Sequence, residues 1–227
     1  MQDLSSLILY KDHHFLAAFK PPLIPVQEDQ SGDPSLQRLM SAYVKHDLYL
    51  CQRIDRPVSG LVLFGQTAQD QAVFQELMEL RKVEKYYLAL VPLTQDKGPV
   101  ILKNGLIHDA KLHKAFVSSE PDARIAILEY SVLAQLQKYS VLLVKTQTGR
   151  FHQIRCQLAA AGLPIKGDVK YGARRSNKDR SIGLHAWKLR FQHPNTNQLL
   201  NLEAPLSDHD IWPSVQSALE HISKSES

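Results

Sequence analysis

The chain has 227 residues, 44% hydrophobic and 22% charged, an ordinary globular composition that can fill a sizeable core and excludes a largely disordered chain. Its net charge of +4 at pH 7 and pI near 9.0 permit a polyanionic partner without requiring one. Cys51 and Cys156 form no disulfide framework, and neither a secretory leader pattern nor an apolar run of membrane-spanning length is present, so a cytoplasmic protein away from membranes is expected.

In chain order, Ser6 to Tyr10 and Phe15 to Phe19 read as strands hinged at Asp12-His13-His14. Lys20-Pro21-Pro22 ends the second, because proline donates no ladder hydrogen bond. Pro34 to Tyr43 predicts a helix, with Asp33 as its N-cap and Leu36, Leu39, Met40 and Tyr43 at helical spacing. Leu48 to Cys51 and Gly60 to Gly65 are strand-like, and QRIDRPVSG, residues 52–60, forms the loop between them. Thr67 caps a helix to about Lys82, with Asp70 three residues on and Val73, Phe74, Leu77 and Leu80 on one face. Tyr86 to Val91 is β-like, and Arg124 to Leu133 with Tyr139 to Lys145 predicts a hairpin. Phe151 to Ala161 reads as a short helix stopped by Gly162. Ile182 to Phe191 and Gln198 to Leu202 pair across a turn over residues 193–197. A last helix runs from about Asp210 to Ile222, with Lys224 to Ser227 expected to fray. Strands outnumber helices and do not alternate with them, so the class is α+β with mainly antiparallel pairing. No repeat or linker divides the chain, and one domain over residues 1–227 is expected.

Dinucleotide, P-loop, zincin and nucleophile-elbow signatures are absent. The adjacent pair His13-His14 has no cysteine or acidic partner at a metal-site spacing, so no metal is expected. The strongest candidates are Arg53, Asp55 and Arg56. As a surface ion pair this cluster contributes under about 1 kcal/mol. As a buried carboxylate kept ionised by a nearby cation, Asp55 becomes a nucleophile or base at neutral pH. A second stretch, TGRFHQIRCQL from Thr148 to Leu158, places Arg155 one helical turn after His152 and Arg150 at the helix start. Either arginine could supply the cation, and spacing alone does not choose between them.

RIDRPVSG, residues 53–60, resembles the R-L-D-R-x-[TS]-S-G motif of the RluA-type pseudouridine synthases. Lys85-Tyr86-Tyr87-Leu88-Ala89 is similar to the family's K-x-Y-x-A, and Thr148 to Arg155 to its T-G-R-x-H-Q-I-R. Pro164-Ile-Lys-Gly-Asp168 with Tyr171-Gly172 resembles P-I-x-G-D-x-x-Y-G. Leu184-His-Ala186, Leu189 to Pro194 and Ala204-Pro205 resemble its closing strands, and Ile8-Leu-Tyr followed by Lys20-Pro21 its opening. The elements keep the family's order from about residue 6 to residue 205.

The resemblance implies isomerisation of a uridine in tRNA or rRNA to pseudouridine, without metal or organic cofactor. The fold implied is a mixed, mainly antiparallel sheet with flanking helices and a central catalytic cleft. Asp55 is then the essential carboxylate, Tyr87 the aromatic that stacks on the target base, and Arg155 the partner of the aspartate. Breaking a glycosidic bond builds positive charge on the ribose, which one ionised carboxylate stabilises or attacks. Whether Asp55 bonds to the ribose or removes a ribose proton stays open. Flipping the base out is eased by roughly 1–3 kcal/mol per stacked base. Arg53, Arg56, Arg150, His152, Lys166, Lys170, Arg174 and Arg175 are the expected RNA contacts, with Arg56 a wedge or phosphate contact. Lys166 to Arg190 holds eight basic residues against Asp168 and Asp179, which suits phosphate binding.

Gln52, Val58 and Gln157 depart from the family's usual His, Thr or Ser, and His. They bear on which RNA is bound. The extra N-terminal RNA-binding domain of many relatives is not expected here, so the catalytic domain would grip RNA itself, as a monomer. A catalytically silent RNA-binding protein is the alternative, and retention of Asp55, Tyr87 and Arg155 argues against it. An unrelated glycosidase would want a second placed carboxylate.

Overall fold

Short apolar runs punctuated by turn residues fold into strands and helices whose bounds follow the capping chemistry. In a computed structural model that describes residues 4–96 and 98–225, with side chains described no further than Ile222, a 3-10 turn Leu4–Leu7 leads into β1 (Ile8–Lys11) and β2 (Phe15–Lys20). Then come α1 (Leu36–Val44), β3 (Tyr49–Leu50), β4 (Ser59–Gly65) and α2 (Ala68–Glu79). β5 (Val83–Pro92), β6 (Val100–Asp109), β7 (Lys114–Val117), β8 (Arg124–Gln135) and β9 (Tyr139–Thr146) follow. α3 (Gln153–Ala160), a 3-10 turn Val169–Tyr171, β10 (Leu184–Gln192), β11 (Leu199–Glu203) and α4 (Trp212–Ser225) complete the described chain. The class is α+β, as expected. α4 continues through Lys224 and Ser225, and residues 226 and 227 of the end expected to fray lie outside those described.

The chain divides into two compact units, Met1–Lys85 with Ala186–Pro205, and Tyr86–His185 with Leu206–Ser227. In the first, β1, β2, β4 and β10 are successive neighbours, with β3 also on β4 and β11 on β10. The pairs β1/β2, β2/β4, β3/β4 and β10/β11 are antiparallel. Every residue of β4 is buried, so it reads as a continuous apolar run instead of an alternating one. One face packs under α2, where Phe15, Phe74 and Phe191 meet edge to face at 5.2–6.2 Å between centroids. The capping box read for α2 is present: Thr67 Oγ1 accepts from Asp70 N, and Asp70 accepts from Thr67 N. In α1 the cap is Ser35, not Asp33. Its hydroxyl accepts from Arg38 N at 3.2 Å, which starts the helix at Leu36.

In the second unit the strand order is β5, β9, β8, β6, β7, with β6/β7, β6/β8 and β8/β9 antiparallel. The β8–β9 hairpin matches its sequence signal. β6 and β7 carry no clear signal, because β6 alternates mostly exposed with half-buried residues and its polar positions break the apolar run. Leu106, Ala115 and Ala126 of β6, β7 and β8 form an apolar face, on which Cys156 of α3 and Tyr171 pack. α3 starts two residues later than expected. His152 takes a left-handed conformation, with φ of 51°, and stands outside the helix as its N-cap.

Candidate active site

In the first unit, the loop from Cys51 to Val58 is pinned at both ends by burial. Cys51, Ile54 and Val58 are buried, and Cys51 N donates to Leu63 O at 3.0 Å. Between these anchors Asp55 is half-buried and Arg53 is exposed. Asp55 O accepts from Val58 N at 3.0 Å, which closes a turn directly after the carboxylate. Gly60 holds φ at +121°, and a Cβ there would lie 2.2 Å from Ala186 O, so only glycine fits this close backbone approach.

Lys20 holds the same loop from below. It is fully buried, and its ammonium donates to Pro21 O at 2.9 Å, Ile24 O at 2.9 Å and Arg56 O at 3.0 Å. Leu23 N also donates to Arg56 O at 2.7 Å. Burial pushes the Lys20 ammonium down to about 7, against an upward pull from the Asp55 charge. Three carbonyls use all three ammonium protons, so the lysine braces the peptide immediately after Asp55. The Arg56 guanidinium pairs with Asp29 at 3.2 Å and with Asp33. Val58 packs into the core, and Gln52 is half-buried.

In the second unit, the TGR turn feeds α3. Gln153 organises that turn: its Oε1 accepts from Thr148 Oγ1 at 2.7 Å and Arg150 N at 3.0 Å, and its Nε2 donates to Ile127 O at 3.1 Å. Arg150 is exposed, and its Nε donates to Ile125 O at 3.2 Å. Arg155 is 5% exposed, and Asp168 receives it at two points, from Nε at 2.7 Å and Nη2 at 2.9 Å. The Arg155 guanidinium also lies 5.0 Å over the Tyr171 ring. Asp168 is 2% exposed and is not a surface member of the basic run in which its charge was counted above. The burial of both partners makes the two-point geometry necessary, since an unpaired charge here is strongly unfavourable.

Tyr171 OH accepts from Ala115 N at 2.8 Å and lies 2.9 Å from His152 Nδ1. Burial, with the charges of Arg155 and Lys170, pushes His152 down to about 3, so the ring is neutral at pH 7. Lys170 Nζ donates to His113 O at 3.1 Å. Lys166 is tied to Asn177 at 2.6 Å and to Asp210. Arg174 and Arg175 are exposed, and Tyr87 is half-buried on β5.

Thus Arg150, His152, Arg155 and Asp168 share one corner of the second unit, while Arg56 shares its corner of the first with Asp29, Asp33 and Lys20. Sequence reasoning missed Lys20 as more than a strand terminator, and it missed Asp168 as a partner. Both stood in quoted motifs, K-P and P-I-x-G-D, so the signal was there. Gln157 is buried, and its Nε2 lies 2.8 Å from Asn104 Oδ1 and 3.1 Å from Leu102 O. That side chain ties α3 to β6.

A family model described as RNA pseudouridylate synthase matches residues 7–160, which contain Asp55, Tyr87 and Arg155. The chain is 28% identical to a tRNA pseudouridine synthase C of Vibrio parahaemolyticus, over 94% of each chain. It is 29% identical to a ribosomal large subunit pseudouridine synthase D of Nitrosomonas europaea, over 88% of this chain and 62% of that relative. Among solved structures, human RNA pseudouridylate synthase domain containing 4 superposes with a TM-score of 0.75 at 21% identity, covering 96% of this chain and 94% of that one. That likeness concerns the fold.

Proposed function

The chain belongs to the RNA pseudouridylate synthase family, and from that premise we propose that it isomerises a specific uridine of tRNA or rRNA to pseudouridine, with Asp55 as the catalytic carboxylate. The observation that carries this reading is a half-buried aspartate on a loop braced by a buried ammonium, inside the matched region. The reaction breaks the bond from N1 to C1′ and forms one from C5 to C1′. The C5 hydrogen leaves as a proton and N1 gains one, so the base is neither oxidised nor hydrolysed. Positive charge develops on the ribose as N1 departs, and the Asp55 carboxylate is the group that meets it.

Tyr87 and Arg155 take the roles the resemblance implies, the first against the target base and the second as the partner of the aspartate. Asp168 supports that role for Arg155 by fixing the orientation of its guanidinium at two points. The neutral His152 beside it, hydrogen-bonded to Tyr171, keeps its place among the proposed RNA contacts. tRNA and rRNA both stay in the proposal, because relatives named for each match at nearly equal identity.

The test is tritium release from total RNA carrying tritium at uridine C5. The wild-type chain should release tritium and yield pseudouridine, and Asp55→Ala should not. No tritium release from any RNA after exhaustive incubation would exclude the synthase reading and leave an RNA-binding protein. Free uracil in place of pseudouridine would make it a glycosidase.

A further inference from the structure

In the second unit, β6 pairs with β8 so that Leu106 faces Arg124, and with β7 so that His108 faces Ala115. Directly paired residues share a face, and residues two apart on a strand do as well. Leu106, His108, Ala115, Arg124 and Ala126 therefore all lie on the face that α3 covers. Leu106, Ala115 and Ala126 are buried beneath it. His108 and Arg124 lie past its cover and are exposed.

Phe151, from the TGR turn, fills the border. Its ring stacks on His152 at 3.8 Å with 20° between planes, and it meets His108 at 4.2 Å with 46° between planes. His152 in turn meets Tyr171 edge-on at 5.5 Å. Four rings thus form a column that ends in solvent at His108. Beside it is a recess of about 550 Å³ lined by His108, Phe151, Arg124, Arg150 and the acidic Asp122. Arg150 is held at the rim by its bond to Ile125 O.

We propose that this recess is a second nucleotide site. One base of the RNA strand, outside the target uridine, stacks on the outer face of His108, and the adjoining phosphates lie against Arg124 and Arg150. Phe151 packs against one side of His108 at 4.2 Å and backs it, so the platform is in place before the base arrives. A ring platform beside two guanidinium groups is the chemistry that grips single-stranded nucleic acid without reading its sequence. An acidic peptide would use the arginines but has no need of the column. This site rests on the RNA-substrate reading and adds to it a contact away from the reacting base.

The experiment measures binding of a fluorescent oligouridylate of about ten nucleotides, a length that spans such a site, to the full chain and its variants. His108→Ala should weaken binding about tenfold, equivalent to about 1.4 kcal/mol. His108→Trp should restore or exceed wild-type affinity. Arg124→Ala should weaken binding and lower the slope of log affinity against log salt by about one. Both side chains are exposed, so thermal unfolding should match wild type. Wild-type affinity in both alanine variants overturns the proposal. So does oligoglutamate binding that depends on Arg124 and not on His108. The two readings fail separately. If the wild-type chain forms pseudouridine while both alanine variants bind normally, the second site falls and the activity stands. If binding depends on His108 but no RNA is modified, the activity falls and the site stands.

Discussion

The two units each bury a cation next to functional residues, but they keep it by different chemistry. In the first, the Lys20 ammonium is surrounded by three backbone carbonyls. In the second, the Arg155 guanidinium meets the Asp168 carboxylate at two points. A guanidinium stays charged at any pH the protein meets, and its planar fork matches Asp168. An ammonium yields its proton more readily, and burial brings that of Lys20 to about 7. The loop behind Asp55 is therefore held by a charge that titrates near neutrality, while the corner around Arg155 is held by one that does not.

Substitution of Arg155 should give the largest effect. Arg155→Ala leaves Asp168 buried without its two-point partner, and should lower stability by about 3–5 kcal/mol in denaturant unfolding. It should also nearly abolish pseudouridine formation. Arg155→Lys should recover little of either, because an ammonium cannot reproduce the fork. Gly60→Ala comes next. The added methyl meets Ala186 O at 2.2 Å, and the φ of +121° is strained for alanine, so a loss of about 3 kcal/mol is expected.

Lys20→Met tests the bracing ammonium. It should slow turnover about a hundredfold, as expected for a displaced reacting group, with a smaller effect on stability. It also carries a pH signature. The folded pKa of Lys20 lies below its unfolded value near 10.5, so unfolding takes up a proton between about pH 7 and 10.5. Wild-type stability, relative to Lys20→Met, should therefore rise with pH across that window. A flat difference would mean that burial does not lower the Lys20 pKa in the folded chain. The smallest effect is at His152. Its folded pKa near 3 lies below the ordinary histidine value of 6.5, so unfolding takes up a proton as pH falls between them. Wild type should lose about 1 kcal/mol relative to His152→Gln between pH 6.5 and 5.

Much of this was readable beforehand where local chemistry decides. The α2 capping box, the β8–β9 hairpin and the stop at Gly162 are each set by a few adjacent residues. β6 and β7 escaped because their faces are largely exposed, so no apolar alternation marks them. Ser35 displaced Asp33 as a cap because the hydroxyl, three residues before Arg38, is the one that reaches its N–H. Asp168 and Lys20 show the deeper limit. A charge in a basic run or at a strand end reads as solvated, and only the fold shows it to be buried among partners.

The most direct test sets the two buried-side carboxylates against each other. Single-turnover tritium release from saturating RNA is compared for Asp55→Asn and Asp168→Asn, beside denaturant unfolding of each. Asp55→Asn should unfold like wild type and release no tritium, a loss on the order of 10⁴-fold or more. Asp168→Asn should be destabilised by several kcal/mol, roughly as expected for a broken buried pair, and keep measurable release while folded. Normal release from Asp55→Asn, with none from folded Asp168→Asn, would contradict the assignment of Asp55 as the carboxylate that meets the ribose.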